Sequence, residues 1–473
     1  LSLCIDRRNL CESPRTGSNM TEQFKEQGGA ATMDPSRLRR WLTSRIISGL
    51  LKPGRLEKLQ ARAERERVKA GLPHTLEYFH QVDDAYSHLA AQALQPLLTR
   101  YGVQLVPHLV EGPSGANLPE PELLPALGRY DAALVAPHYG LEYPAGAGAP
   151  EQSLCLRANG ILAAVSAADF PAAAVAVGEA LLAGDGTALE SLAGQYGSST
   201  EEQASQALAA GTARRAQLKH YSGGMFYYGG VWYWGVDRLY HLERRWCDLG
   251  LGDGAALLFP RPPIDAGSYQ ANGSLTLEIY ASLRSPYTAV IFDKAVQLAE
   301  RTGVRLALRP VLPMVMRGVP ATREKGLYIF SDAAREARAL GLDFGKVYDP
   351  IGEPVRRCYS LYEWAEKQGR AVGLISEFLR AAFYRGVNTS RDSGLRQVVE
   401  AAGLSWEDAQ SVIDNRDWES RIEQNRKAMY GFGSWGVPTF RLLDARGNTV
   451  VWAWGQDRLW LIAREIQRVL VAA

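Results

Sequence analysis

A 35-residue stretch of this chain recurs in diverged form, without a gap, 201 positions further on. Residues 76–110 read LEYFHQVDDAYSHLAAQALQPLLTRYGVQLVPHLV, and residues 277–311 read LEIYASLRSPYTAVIFDKAVQLAERTGVRLALRPV. Leu76-Glu77 meets Leu277-Glu278, Tyr86 meets Tyr287, Arg100 meets Arg301, and Gly102-Val103 meets Gly303-Val304. The spacing still holds where Asp131-Ala132-Ala133 meets Asp332-Ala333-Ala334. It has grown to 220 where Trp234-Gly235-Val236-Asp237-Arg238-Leu239 meets Trp454-Gly455-Gln456-Asp457-Arg458-Leu459. A period of this size is far above the roughly 20–50 residues of solenoid repeats, so it predicts two paired domains.

Composition sets the remaining bounds. The chain has 473 residues, 46% hydrophobic and 22% charged, with a net charge of +2. That suits a globular protein and gives no global pointer to nucleic acid. Cys4, Cys11, Cys155, Cys247 and Cys358 show neither a C-x-x-C pair within the repeats nor a zinc spacing, so no metal is expected. Scattered thiols fit a reducing, cytoplasmic setting. No apolar run reaches the ~18 residues of a membrane span. Residues 1–32 lack the apolar core of a signal peptide. Residues 1–35 are expected to be disordered, with Met20 and Met33 as alternative starts. The expected organisation is a basic helical arm over 36–70, a first domain over 71–249, a Pro-rich linker over 250–273, and a second domain over 274–473.

The arm reads as helix from Arg37 to Lys69 with a break at Pro53-Gly54, and carries eleven basic against three acidic side chains. Leu38, Trp41, Leu42, Ile46 and Leu50 share a face at helical spacing. One reading is an acidic partner or a membrane surface. The other is an arm packed on the body with a solvated basic face, which the usual behaviour of charge runs favours.

Within the second copy, residues 275–282 alternate like a strand. Ser285-Pro286 opens a helix to Thr302 as N-cap and first helical residue, and residues 304–309 form a second strand. Residues 325–429 are helical in pattern. Residues 437–443 and 449–454 form a hairpin around 444–448, and a last amphipathic helix spans about 457–470. The fold class is therefore α/β: two βαβ–ββα units, each with a helical insertion.

This order and five motifs resemble the DsbA family, and within it the 2-hydroxychromene-2-carboxylate isomerase and kappa-class glutathione transferase branch. The motifs are Ser285-Pro286-Tyr287-Thr288 where DsbA-like proteins carry Cys-Pro-His-Cys, and Arg309-Pro310-Val311-Leu312. The others are Lys325/Tyr328/Asp332/Arg335 in one helix, Gly436-Val437-Pro438-Thr439-Phe440, and Trp454-Gly455-Gln456-Asp457-Arg458-Leu459. The likeness covers about 275–469. It implies a thioredoxin fold and a thiol-dependent isomerase or transferase using glutathione. The alternatives are a family member labelled a thiol–disulfide oxidoreductase but lacking C-x-x-C, and a non-catalytic binding protein. The chain departs from the family in having no Asn in residues 313–320. In copy one, Asp84 replaces the serine and Gly224 the cis-proline.

The resemblance assigns the catalytic role to Ser285, whose hydroxyl would donate to a thiolate at a helix N-terminus. It assigns cofactor contacts to Pro286, Val437, Pro438, Asp457 and Arg458. It assigns substrate contacts to Tyr287, Arg309, Lys325, Met314 and Trp435, for a small aromatic or conjugated acid. Ser285 and Pro286 are equally an ordinary helix cap, and the Asp457-Arg458 pair, kept in copy one as Asp237-Arg238, has a structural reading. Met314 and Trp435 equally suit core packing. All seven histidines lie in copy one and show no convincing partner. The repeats are expected to pair within the chain, without nucleic acid or a transmembrane segment.

Overall fold

The structure is a computed structural model that describes residues 34–319 and 321–472. Most of the 1–35 stretch, with Met20, Met33, Cys4 and Cys11, lies outside the described residues, as does Pro320. Asp34 is described and accepts a hydrogen bond from the Glu353 amide.

Two four-stranded sheets are built by one rule. The first holds β1 (Thr75–His80), β2 (Gln104–Leu109), β3 (Met225–Tyr228) and β4 (Val231–Trp234) in the order β2-β1-β3-β4. The second holds β5 (Thr276–Ala281), β6 (Arg305–Pro310), β7 (Thr439–Leu443) and β8 (Thr449–Trp454) in the order β6-β5-β7-β8. In each, the first two strands are parallel and the hairpin is antiparallel. Leu76 pairs with Leu105 and Leu277 with Leu306, so the repeat's register is kept residue for residue. The central strand β5 is buried along its whole length, as a strand covered on both faces must be.

The helices follow from local signals. Lys52-Pro53 separates α1 (Arg37–Leu50) from α2 (Pro53–Lys69), because proline cannot continue the first helix but suits the start of the next. The crossover helix of the first half is α3 (Ala85–Tyr101). Its insertion comprises α4 (Leu123–Val135), α5 (Gln152–Ala164), α6 (Phe170–Leu182), α7 (Gly186–Tyr196) and α8 (Glu201–Gln217), and α9 (Leu239–Asp248) closes it. In the second half α10 (Pro286–Thr302) crosses over. The larger insertion holds α11 (Arg323–Ala339), α12 (Glu353–Ser360), α13 (Tyr362–Lys367), α14 (Ala371–Arg380), α15 (Asp392–Ala401), α16 (Trp406–Val412) and α17 (Trp418–Gly431). It ends on α18 (Leu459–Ala472). Residues between Asp248 and Thr276 form no helix or strand.

One apolar core runs through both halves, from Leu76 and Trp246 to Phe292 and Ile462. Each central strand also carries a glutamate at the same repeat position, Glu77 half-buried and Glu278 buried. Glu77 accepts from His108 and Arg214, and Glu278 from Arg309 and Arg441. Burial opposes the charge on Glu77, but these donors outweigh it and hold the carboxyl at about 2.

Candidate functional site

Ser285 caps α10. Its Oγ accepts from the Thr288 amide at 3.1 Å and donates to the Val437 carbonyl at 3.3 Å. The Val437–Pro438 bond is cis, the geometry the resemblance implies. The loop before β7 therefore lies against the N-terminus of α10, where unpaired amides and the helix dipole favour negative charge. Pro286 is buried beside it as the first helical residue. Gly436 allows the close approach: a Cβ there would lie 2.2 Å from Trp454 Nε1.

Trp435, just ahead of this loop, is buried and packs against Trp454 and Met314. Above its ring, at 5.8 Å, stands the ammonium of Lys325 from α11, which is also 5.7 Å from the ring of Tyr221 in the first half. Burial lowers the Lys325 pKa to about 8. Arg317 reaches the same loop, donating to the Trp435 carbonyl at 3.0 Å and the Tyr430 hydroxyl at 3.2 Å, and burial lowers its pKa too. Neither cation has a carboxylate within ion-pair distance among the described residues. Arg317 Nε, Trp435 Nε1, Thr288 Oγ1 and the hydroxyls of Tyr221 and Tyr328 are buried without a hydrogen-bond partner there. The Tyr430 hydroxyl in turn donates to Glu120 at 2.7 Å, so Arg317 faces a carboxylate through one hydroxyl, whereas Lys325 has no such relay and suits an anionic ligand.

Four expected contacts go elsewhere. Arg458 is buried and bonds Asp131 and Asp237 of the first half at 2.7 and 2.8 Å, which corrects its assignment to a cofactor. Asp457 pairs with Arg238 at 3.0 Å beside a cleft lined by Tyr139, Arg261, Glu336 and Trp460. The Tyr287 hydroxyl donates to Asp332 at 2.9 Å, and Asp332 in turn binds Arg238 and Arg335. Arg309 is tied to Glu278 on the face of its sheet. Tyr287 and Arg309 were taken for substrate contacts without sight of their carboxylate partners, whereas the Asp457-Arg458 pair already had a structural reading in the sequence. The histidines need a similar correction: His108 bonds Glu77 and His241 bonds Glu336, neither beside Ser285. Arg317 and Tyr221 were missed. A single arginine inside the apolar run 311–319 was the available signal for Arg317.

The first half fills its equivalent site with itself. Asp84 caps α3, its Oδ2 accepting from the Ser87 amide and hydroxyl at 2.8 Å each. Burial pushes this carboxyl up to about 6. Gly224 stands where the proline would be, at φ +63°, with room for a Cβ only 3.1 Å from the Ser87 amide.

A βαβ–ββα sheet with a cis-proline loop facing the first helix accords with the family comparison, in which residues 276–467 match the DSBA-like thioredoxin domain. Residues 276–467 form a DSBA-like thioredoxin domain. Among solved structures, a probable DsbA oxidoreductase from Streptomyces coelicolor aligns at 19% identity and TM-score 0.34, over 42% of this chain and 91% of that one. A 2-hydroxychromene-2-carboxylate isomerase aligns at 18% identity and TM-score 0.34, over 41% of this chain and 95% of that one. The cytosolic disulfide reductase DsbM from Pseudomonas aeruginosa aligns at 18% identity and TM-score 0.33, over 42% of this chain and 100% of that one. No curated protein matches the chain. Among the described residues, no cluster of His, Cys, Asp and Glu could hold a metal, and no helix is long and apolar enough to cross a membrane.

Proposed function

We propose that the DSBA-like domain is a glutathione-dependent isomerase or transferase of the 2-hydroxychromene-2-carboxylate isomerase type, acting through Ser285. In this reading the two repeats pair within one chain, in a reducing, cytoplasmic setting. The observation that carries it is the Ser285 hydroxyl, held at a helix N-terminus against the carbonyl that precedes a cis-proline. Glutathione, when bound, would supply a soft thiolate nucleophile for reversible addition to a conjugated double bond, and Ser285, the α10 amides and the Val437-Pro438 backbone would hold it. Ser285 can turn from the Val437 carbonyl to donate to the sulfur. The α10 amides lower the thiol's pKa. The Val437-Pro438 backbone faces a peptide-like ligand, and Lys325 and Arg317 balance its carboxylates. Trp435 and Met314 offer an apolar wall to an aromatic or conjugated acid. The γ-glutamyl end must find partners other than Asp457 and Arg458.

Thiol–disulfide exchange is the weaker reading. It needs an attacking thiolate, and positions 285 and 288 hold Ser and Thr. Burial raises the Cys155 thiol to about 11 and the Cys358 thiol further still, so both are protonated at neutral pH.

Titration calorimetry with glutathione tests the proposal. Ser285→Asp copies the first half's arrangement: it keeps the helix cap but places a carboxylate where the thiolate would sit. Binding is expected in the parent and in Asp84→Ala, and at least about tenfold weaker in Ser285→Asp and Ser285→Ala, for the loss of a charge-assisted hydrogen bond. Equal affinity in all four proteins would remove Ser285 from the chemistry.

A further inference from the structure

The first helix presents two opposed faces. One docks on the second half. Arg40 donates to the carbonyls of Asp349 and Ile351, Ser44 accepts from the Asp349 amide, and Ser48 exchanges hydrogen bonds with the Val347 backbone. Ile47 and Leu51 are buried alongside. At about 100° per residue, positions 40, 44, 47 and 51 fall on one narrow strip. Residues 38, 42 and 49 point the opposite way, flanked by 41 and 46.

That outer face is apolar. Leu38 is 72% exposed, Trp41 45%, Leu42 51% and Ile46 53%. A surface helix ordinarily has one apolar stripe, and it faces the core. Single exposed apolar residues need no explanation, but four on one face form a patch that marks an interaction surface. The expectation of a merely solvated basic face is thus incomplete.

Charge narrows the partner. Arg39 borders the stripe beside Ile46, Arg45 lies within it between Trp41 and Leu38 with its guanidinium 5.2 Å from the Trp41 ring centre, Arg37 lies about 40° beyond Trp41, and α1 has no acidic residue. Across 37–69 there are eleven basic and three acidic side chains in a chain of net charge +2. A nucleic acid would use the arginines but not the aliphatic stripe. A second copy would set one basic arm against another. Residues 1–33 carry four acidic and four basic side chains, and so offer no net complement.

We propose that α1 docks on an anionic lipid surface, with Leu38, Trp41, Leu42 and Ile46 entering the headgroup boundary and Arg37, Arg39 and Arg45 at the phosphates. Aliphatic residues and a Trp on one side, with arginines among and beside them whose long stems let the guanidinium reach the phosphates, suit an in-plane interfacial helix. The DSBA-like domain would then work beside a membrane it does not span.

Flotation of the full chain with vesicles tests this. One set is phosphatidylcholine alone; the other also contains phosphatidylserine. Two triple variants are compared with the parent: Leu38→Ser with Leu42→Ser and Ile46→Ser, and Arg37→Gln with Arg39→Gln and Arg45→Gln. The parent should bind only the acidic vesicles, and less as salt rises. Each variant should lose about tenfold or more, while circular dichroism and the thermal midpoint stay unchanged. Equal binding by parent and variants, absence of binding by the parent, or no preference for acidic lipid would each overturn the proposal. Self-association of the parent that the apolar variant abolishes, without vesicle binding, would assign the face to a second copy instead.

Discussion

Lys325 sits between the rings of Trp435 and Tyr221 with no carboxylate in ion-pair contact among the described residues, and burial lowers its pKa to about 8. The sign of its pH dependence follows. An anionic ligand favours the charged ammonium, and burial favours the neutral amine. Affinity for glutathione should therefore be flat below about pH 8 and fall by up to about tenfold per pH unit above it. Lys325→Met keeps the length and packing of the side chain but removes the charge, so its affinity should be lower and lack that descending limb. Calorimetry from pH 7 to pH 10 checks this, with corrections for the ligand's own titration. An identical slope in parent and variant would show that Lys325 does not face the ligand.

At the scale of elements, two glycines in helices should respond to alanine in opposite directions. Gly49 lies in α1 with open space where a Cβ would stand, so Gly49→Ala should stabilise by about 0.5–1 kcal/mol, the usual helix preference. Gly211 lies in α8 against β2, and a Cβ there would meet the Leu109 carbonyl oxygen at 2.0 Å. That atom is backbone and cannot swing aside, so α8 must move off the sheet. Gly211→Ala should cost on the order of 1–3 kcal/mol net. Urea unfolding followed by tryptophan fluorescence decides both, and a shift of the same sign in the two variants would contradict the packing described. The Ser285 cap belongs to this scale as well: losing it costs about 1 kcal/mol. Ser285→Asp therefore separates chemistry from stability better than Ser285→Ala does.

Across the whole molecule, the two halves meet through charge pairs that repeat the internal symmetry. Arg238 of the first half binds Asp332 and Asp457, and Arg458 of the second binds Asp131 and Asp237. Tyr86 and Tyr287 complete the pattern on Asp131 and Asp332. The aromatic strand β4 joins in, with the Trp232 carbonyl accepting from Arg335 and the Tyr233 ring 5.0 Å from its guanidinium. Such pairs add little net stability over apolar packing, but removing one partner strands the other. Arg458→Ala leaves two carboxylates without their cation and should cost about 3–5 kcal/mol. A loss below about 1 kcal/mol in urea unfolding would mean that water reaches and solvates this seam.

The repeat, the βαβ–ββα order, the break at Pro53, the Ser285-Pro286 helix start and the loop holding Pro438 were all legible in the sequence. The strand and helix patterns, the break at Pro53 and the Ser285-Pro286 start rest on local signals of period and cap, whereas the repeat was seen by comparing the chain with itself and the Pro438 loop by resemblance. Lys325 and Trp435 were named as substrate contacts on the resemblance, a role that the proposed function keeps. What the tertiary structure alone decided is which charges are spent and which are left over. Arg238 meets Asp332 across 94 residues, and Arg458 meets Asp131 across 327. Sequence periodicity carries no trace of such pairs. Tyr287, Arg309, Asp457 and Arg458 are thereby committed to partners, while Lys325 keeps no ion pair among the described residues. A side chain's chemistry is set by its type, but its availability depends on whether folding brings it a counter-charge, and that is a property of the packed chain.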